Sequence, residues 1–139
     1  IRHITGEADI EARVTVHRDA FNPSRMTVAK YNRAITALMY RPKLDIVAVA
    51  PDGTFASFAL AWFDPLNGIG EFEPVGTHRR HQRRGLATAV MVEGMHRLQA
   101  LGAHTAHVMT NHDNDAAIGL YESLGFREID RSYAWTTSL

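Results

Sequence analysis

Apolar positions along the chain switch between two spacings, one of about two residues and one of three to four, and each switch marks a new element. Residues 1–4 alternate as a short strand. Residues 7–20 read as a helix, with Ile10, Val14 and His17 or Phe21 on one face and Glu7, Asp9 and Glu11 at its positive N-terminal end. Asn22-Pro23-Ser24 breaks that pattern. Ser24 is then a candidate cap for a second helix through Val28, Tyr31, Ile35, Leu38 and Met39, ended by Arg41-Pro42. Two β-runs, 44–50 and 54–63, flank the turn Pro51-Asp52-Gly53 as a hairpin, and a second turn leads into a strand at 69–77. After Gly85 a helix places Leu86, Val90, Met91, Met95, Leu98 and Leu101 on one side and Glu93, His96 and Arg97 on the other, and Gly102 ends it. A strand at 103–110, a short helix at about 114–124 and two strand-like pieces, 126–129 and 132–136, complete the chain. The order β-α-α-β-β-β-α-β-α-β-β predicts an α/β chain of the mixed α+β kind, with one central mixed sheet flanked by helices.

Composition narrows the function classes. The 139 residues suit a single domain, and a first residue that is not methionine leaves open that this is one part of a longer polypeptide. With 45% hydrophobic and 22% charged residues, a packed core rather than disorder is expected. Lys+Arg and Asp+Glu balance at 15 each, so no wholesale attraction to nucleic acid or to an anionic membrane is predicted, and any basic function must be local. The absence of cysteine excludes disulfides, a thiolate nucleophile and thiolate metal sites. No apolar run approaches a membrane span and no signal-peptide pattern opens the chain, so a cytoplasmic protein is expected. The histidine pairs His78/His81 and His104/His107 are three apart; in a strand such residues face opposite ways, and no metal site is expected.

The chemistry gathers in residues 70–101. Pro74 interrupts an otherwise strand-like run, which predicts a bulge that frees the peptide groups around Val75 to Thr77. Beyond it, Gly85 lets an anion approach the start of a helix, amid Arg79, Arg80, Arg83 and Arg84. The implied ligand has an extended amide-like arm at one end and phosphates at the other. The basic run 78–84 is short and lacks interleaved aromatics, which argues against a nucleic-acid surface.

The turn Gln82-Arg83-Arg84-Gly85-Leu86-Ala87 resembles the acyl-CoA signature of the GNAT superfamily of N-acetyltransferases, Gln/Arg-x-x-Gly-x-Gly/Ala after a bulged strand. The segment from Asn114 to Phe126 is similar to the family's Asn-x-x-Ala-x-x-x-Tyr-x-x-x-Gly-Phe. The resemblance implies the GNAT-like acyl-CoA N-acyltransferase fold, with the strands at Ile69 and Ala103 splayed around the pantetheine arm of acetyl-CoA. It implies cofactor-binding roles for Val75, Thr77, Gln82, Arg83, Arg84, Gly85, Leu86, Ala87, Asn114 and Tyr121, and no metal. The implied reaction moves an acetyl group from acetyl-CoA to a primary amine of a small molecule or peptide by direct attack on the thioester. Glu71 or Glu73, directly or through a water, is the candidate base; the Val75 N–H is the candidate oxyanion donor and Tyr121 the candidate acid. Asn114 is a candidate helix cap as well. Phe21, Tyr31, Trp62, Tyr133 and Trp135 are candidates for an acceptor pocket. A different acyl-CoA, a non-catalytic CoA sensor, a homodimer and a second domain in a longer chain all stay open.

Overall fold

Five strands lie side by side in chain order in the computed structural model, which describes residues 1–138. They are β1 (Arg2–His3), β2 (Asp45–Val49), β3 (Phe55–Asp64), β4 (Ile69–Thr77) and β5 (Thr105–Val108). The first four are antiparallel, and β5 joins β4 in parallel. Four α-helices accompany them among the described residues: α1 (Glu7–Ala20), α2 (Val28–Ile35), α3 (Leu86–Ala100) and α4 (Asp115–Ser123). α3 is the crossover that a parallel β4–β5 pair requires. The expected mixed α/β architecture is therefore present.

Strand alternation divides the core into two layers. Ile46 and Ala48 of β2, Ala59, Ala61 and Phe63 of β3 and Phe72 of β4 pack with Val90, Met91 and Leu98 of α3. On the other face Ile4, Val47, Phe55 and Phe58 pack with Val16 of α1. Two glycines let α3 lie close to the sheet. A Cβ at Gly94 would sit 2.5 Å from Phe72 Cε1, and one at Gly70 would sit 2.5 Å from Leu98 Cδ1.

A buried ion pair ties the α1 face together. Arg13 Nε donates to Asp45 Oδ1 at 2.8 Å, and the Tyr31 hydroxyl donates to Asp45 Oδ2 at 2.6 Å. Arg13 also lies over the Phe58 ring, 3.7 Å from its centroid. One carboxylate thus links α1, α2 and β2, and its burial is tolerable because the opposite charge and a hydroxyl both serve it.

Two expectations differ from what forms. The second helix is capped by Thr27, whose hydroxyl accepts from the Lys30 N–H at 3.2 Å, whereas Ser24 instead serves the Met26 N–H. This helix stops at Ile35, and Leu38, which continues its apolar period, is 98% exposed. A periodic residue without a surface to pack against adds nothing to a helix. The strand-like pieces 126–129 and 132–136 carry no strand among the described residues. Alternation alone makes no ladder. In this stretch Arg131 bonds to its neighbours Glu128 and Asp130.

Candidate active site

The site begins where two strands part company. β4 and β5 pair from Ile69/Thr105 to Phe72/Val108, yet β4 runs on to Thr77. The cause lies in β4 itself. Between Phe72, opposite Ala61, and Val75, opposite Ala59, three steps of β4 face two of β3. The extra residue is the bulge expected at Glu73-Pro74, and the Trp62 indole N–H pins its outward carbonyl, that of Glu73, at 2.8 Å. Beyond the bulge β4 is held from the β3 side. Ser57 Oγ donates to the Gly76 carbonyl at 2.9 Å and lies 2.9 Å from Thr77 Oγ1. The β5-facing edge of residues 73–77 has no strand partner among the described residues.

A cleft of about 920 Å³ opens along that edge. Val75, Gly76 and Thr77 form its floor, the segment from His81 to Arg83 and from Gly85 to Thr88 forms one end, and α4 forms the far wall with Asp115, Ala116, Ala117, Gly119, Leu120, Tyr121 and Ser123. Gly85 stands at the N-cap of α3 with φ 72°, and no side chain caps the helix. The first-turn N–H groups are therefore left for a ligand. Nothing lies within 4 Å of the place a Gly85 Cβ would occupy. Its need for glycine therefore comes from the left-handed backbone and not from crowding. Arg83 is the one non-glycine residue at positive φ (60°) among the described residues, so two left-handed residues flank Arg84 and turn successive N–H groups inward. No acidic residue stands in the first turn of α3, and Arg79, Arg80, Arg83 and Arg84 are all exposed around it.

Of the residues singled out in the sequence, Val75, Thr77, Gln82, Arg83, Gly85, Leu86, Ala87 and Tyr121 share the cleft wall. Arg84 and Asn114 lie off it; Asn114 caps α4 by accepting from the Ala117 N–H at 3.2 Å. Glu71 and Glu73 lie off it too. Gly70 and Phe72 face α3, so alternation turns Glu71 to the α1 side, in register with Trp62. Glu73, inside the bulge, is exposed. Tyr121 is half-buried, its ring 6.1 Å from that of Phe126, and burial raises its phenol above the ordinary value. It is a protonated donor at neutral pH.

The reading from sequence missed His81, Thr88 and most of the α4 wall. A signal existed in α4: Ala116, Ala117 and Leu120 fall on the same helical stripe as Tyr121, and the two alanines keep it low enough for a ligand to lie alongside. Among the described residues no three His, Asp or Glu side chains gather to hold a metal ion, and no helix is long and apolar enough to cross a membrane.

Known proteins share the sequence pattern and the fold. The chain is 31% identical over 126 residues to the mycothiol acetyltransferase of Paenarthrobacter aurescens, covering 85% of this chain and 39% of that protein, so it spans well under half of that relative's length. Its fold matches the GCN5-related N-acetyltransferase from Sphaerobacter thermophilus (TM-score 0.77, 22% identity, 89% of this chain and 39% of that one). It also matches AAC(6')-Iy, solved in complex with the bisubstrate analogue CoA-S-monomethyl-acetylneamine (TM-score 0.76, 18% identity, 97% and 95% covered). At these identities the two structures establish the fold. The family model for the Acetyltransferase (GNAT) family matches residues 11–126, and with the split sheet and the glycine turn in place the chain belongs to that family.

Proposed function

We propose that this domain transfers an acetyl group from acetyl-CoA to a primary amine by direct attack on the thioester. The observation that carries the reading is the meeting, in one cleft, of an unpaired strand edge at Val75–Thr77, an uncapped helix start at Gly85 and the Tyr121 phenol. The strand edge suits the two amides of a pantetheine arm, the helix start suits a pyrophosphate, and the phenol lines the same cleft. That AAC(6')-Iy, of the same fold, was solved with a CoA-based bisubstrate analogue supports the choice of ligand.

The chemistry then follows from what each group can do. The acceptor arrives as an ammonium and must lose one proton before its lone pair can attack; Glu71 or Glu73, through a water, takes it. As the N–C bond forms, charge gathers on the carbonyl oxygen, where the Val75 N–H at the bulge stabilises it. The C–S bond then breaks and the nitrogen loses its second proton. Tyr121 hydrogen-bonds the departing sulfur. Because burial raises its phenol while a thiol ordinarily titrates near ~8.5, a complete transfer is uphill on its own. The phenol therefore hands over its proton in step with C–S cleavage and is reprotonated from the proton the nitrogen releases. The net products are an amide, free CoA and one proton.

Calorimetric titration with acetyl-CoA, followed by an acceptor screen read as thiol release, tests this. Amino sugars such as neamine, simple diamines and peptides with a free N-terminus are the first acceptors to try. Binding with turnover of at least one amine is the expected result. Absence of acetyl-CoA binding sinks the reading, and binding without turnover of any amine leaves a CoA sensor in its place.

A further inference from the structure

A carboxylate in the last turn of a helix faces the negative end of the helix dipole and is disfavoured there. Asp19 occupies that place in α1, beside the better suited His17 and Arg18. What it meets lies 60 residues away: its Oδ2 accepts from the Arg79 backbone N–H at 2.6 Å, and its Oδ1 from Arg79 Nε at 3.2 Å. His78 Nδ1 lies 3.3 Å from the same carboxylate. The backbone N–H of Arg79, more than any other group, holds the Asp19 carboxyl below its usual range, and only 18% of the side chain is exposed.

Arg79 opens the 3₁₀ turn Arg79–His81, and His81 and Gln82 then enter the cleft wall just ahead of the glycine turn. The same end of α1 also presses on the cleft floor. A Cβ at Gly76 would come within 2.9 Å of Ala20 Cβ and 2.7 Å of Phe58 Cζ, so α1 and β4 meet here without room to slide. The His78 N–H is bonded to the Ala56 carbonyl at 2.9 Å, which fixes the chain one residue before Arg79. The phosphate-facing segment thus has a floor set by β3 and a starting point set by α1.

We infer that Asp19 is a positioning residue for the phosphate end of the cleft: by holding the Arg79 N–H it fixes where the segment from His81 to Ala87 begins. The inference rests on the reading of the cleft as an acetyl-CoA site. Asp19 touches no ligand itself, and acts through the Arg79 backbone. Its loss leaves the pantetheine floor at Val75–Thr77 in place, because Ser57 holds that part independently.

Calorimetry on the full chain separates these roles. Asp19→Ala is expected to weaken acetyl-CoA binding about tenfold, in line with losing charge-assisted bonds. Asp19→Asn, which keeps an oxygen for the Arg79 N–H, recovers part of that loss and guards against a variant that fails to fold. Acetyl-pantetheine, which has no phosphates, is titrated alongside by amide chemical shifts, and its affinity stays within about twofold of wild type. Unchanged acetyl-CoA affinity in Asp19→Ala, or an equal loss for acetyl-pantetheine, overturns the positioning role while leaving the CoA site standing. A wild-type chain that binds no acetyl-CoA overturns both.

Discussion

At the residue scale, the glycine turn of this cleft is little crowded by the protein around it. Gly85 has open space where a side chain would go, so Gly85→Ala strains only the backbone, by about 1–2 kcal/mol for a left-handed residue. Gly85→Glu adds a carboxylate in front of the uncapped N–H groups, and no acetyl-CoA binding should be detectable by calorimetry. Tyr121→Phe removes a proton donor while keeping the ring against Phe126. It should lower kcat about a hundredfold with the acetyl-CoA Kd nearly unchanged; equal turnover would remove Tyr121 from the chemistry. Both positions were legible in sequence because each sits in a short local motif. The partners of Trp62 and Asp19 were not, since the Glu73 carbonyl and the Arg79 N–H lie 11 and 60 residues away and meet them only on folding.

Elements were legible where a periodic face finds a surface to bury. α1 and β4 form over the predicted residues because both have neighbours on the sheet. The Pro74 bulge could be foreseen because proline cannot donate to a ladder. The period through Leu38 and the alternation after Phe126 had no such surface, and periodicity by itself could not reveal that. Close approach of α3 to the sheet gives a test at this scale. Gly94→Ala improves helix propensity by up to about 1 kcal/mol, yet its methyl meets the Phe72 ring and, at 3.3 Å, Ile46 Cδ1. Overpacking of this kind costs about 1–3 kcal/mol, so a lower guanidinium midpoint is expected. A raised midpoint would mean that the ring moves aside freely.

The molecule as a whole carries no net formal charge, so its pH response comes from particular groups. His17 is the clearest. Packed 4.8 Å from Phe21 and 5.8 Å from Phe58, it is lowered from 6.5 to about 4, first by burial and then by the charge of Arg13. Between those values the unfolded chain takes up a proton that the folded chain refuses, and stability must fall as pH drops from about 6.5 to about 4. Melting temperatures across that window should show this slope, and His17→Gln should flatten it; an equally steep variant would assign the slope elsewhere. Asp9, held low chiefly by its bonds with Arg2, adds its own loss at more acid pH.

The parting of β4 from β5 has a further consequence. Most proteins bury their sheet interiors and leave edges outside, but here part of an edge opens between β4 and the last strand, with β4 on one bank and α4 on the other. An extended ligand lying along that edge, as proposed above, would serve as a surrogate strand. Amide hydrogen exchange should register the added pairing. On adding acetyl-CoA, amides on the open side of residues 73–77 should slow, while those of Ile46 and Val47 in β2, which have strand partners on both sides, should change little. If the two strands slow alike, the ligand stabilises the domain globally and does not mend this seam.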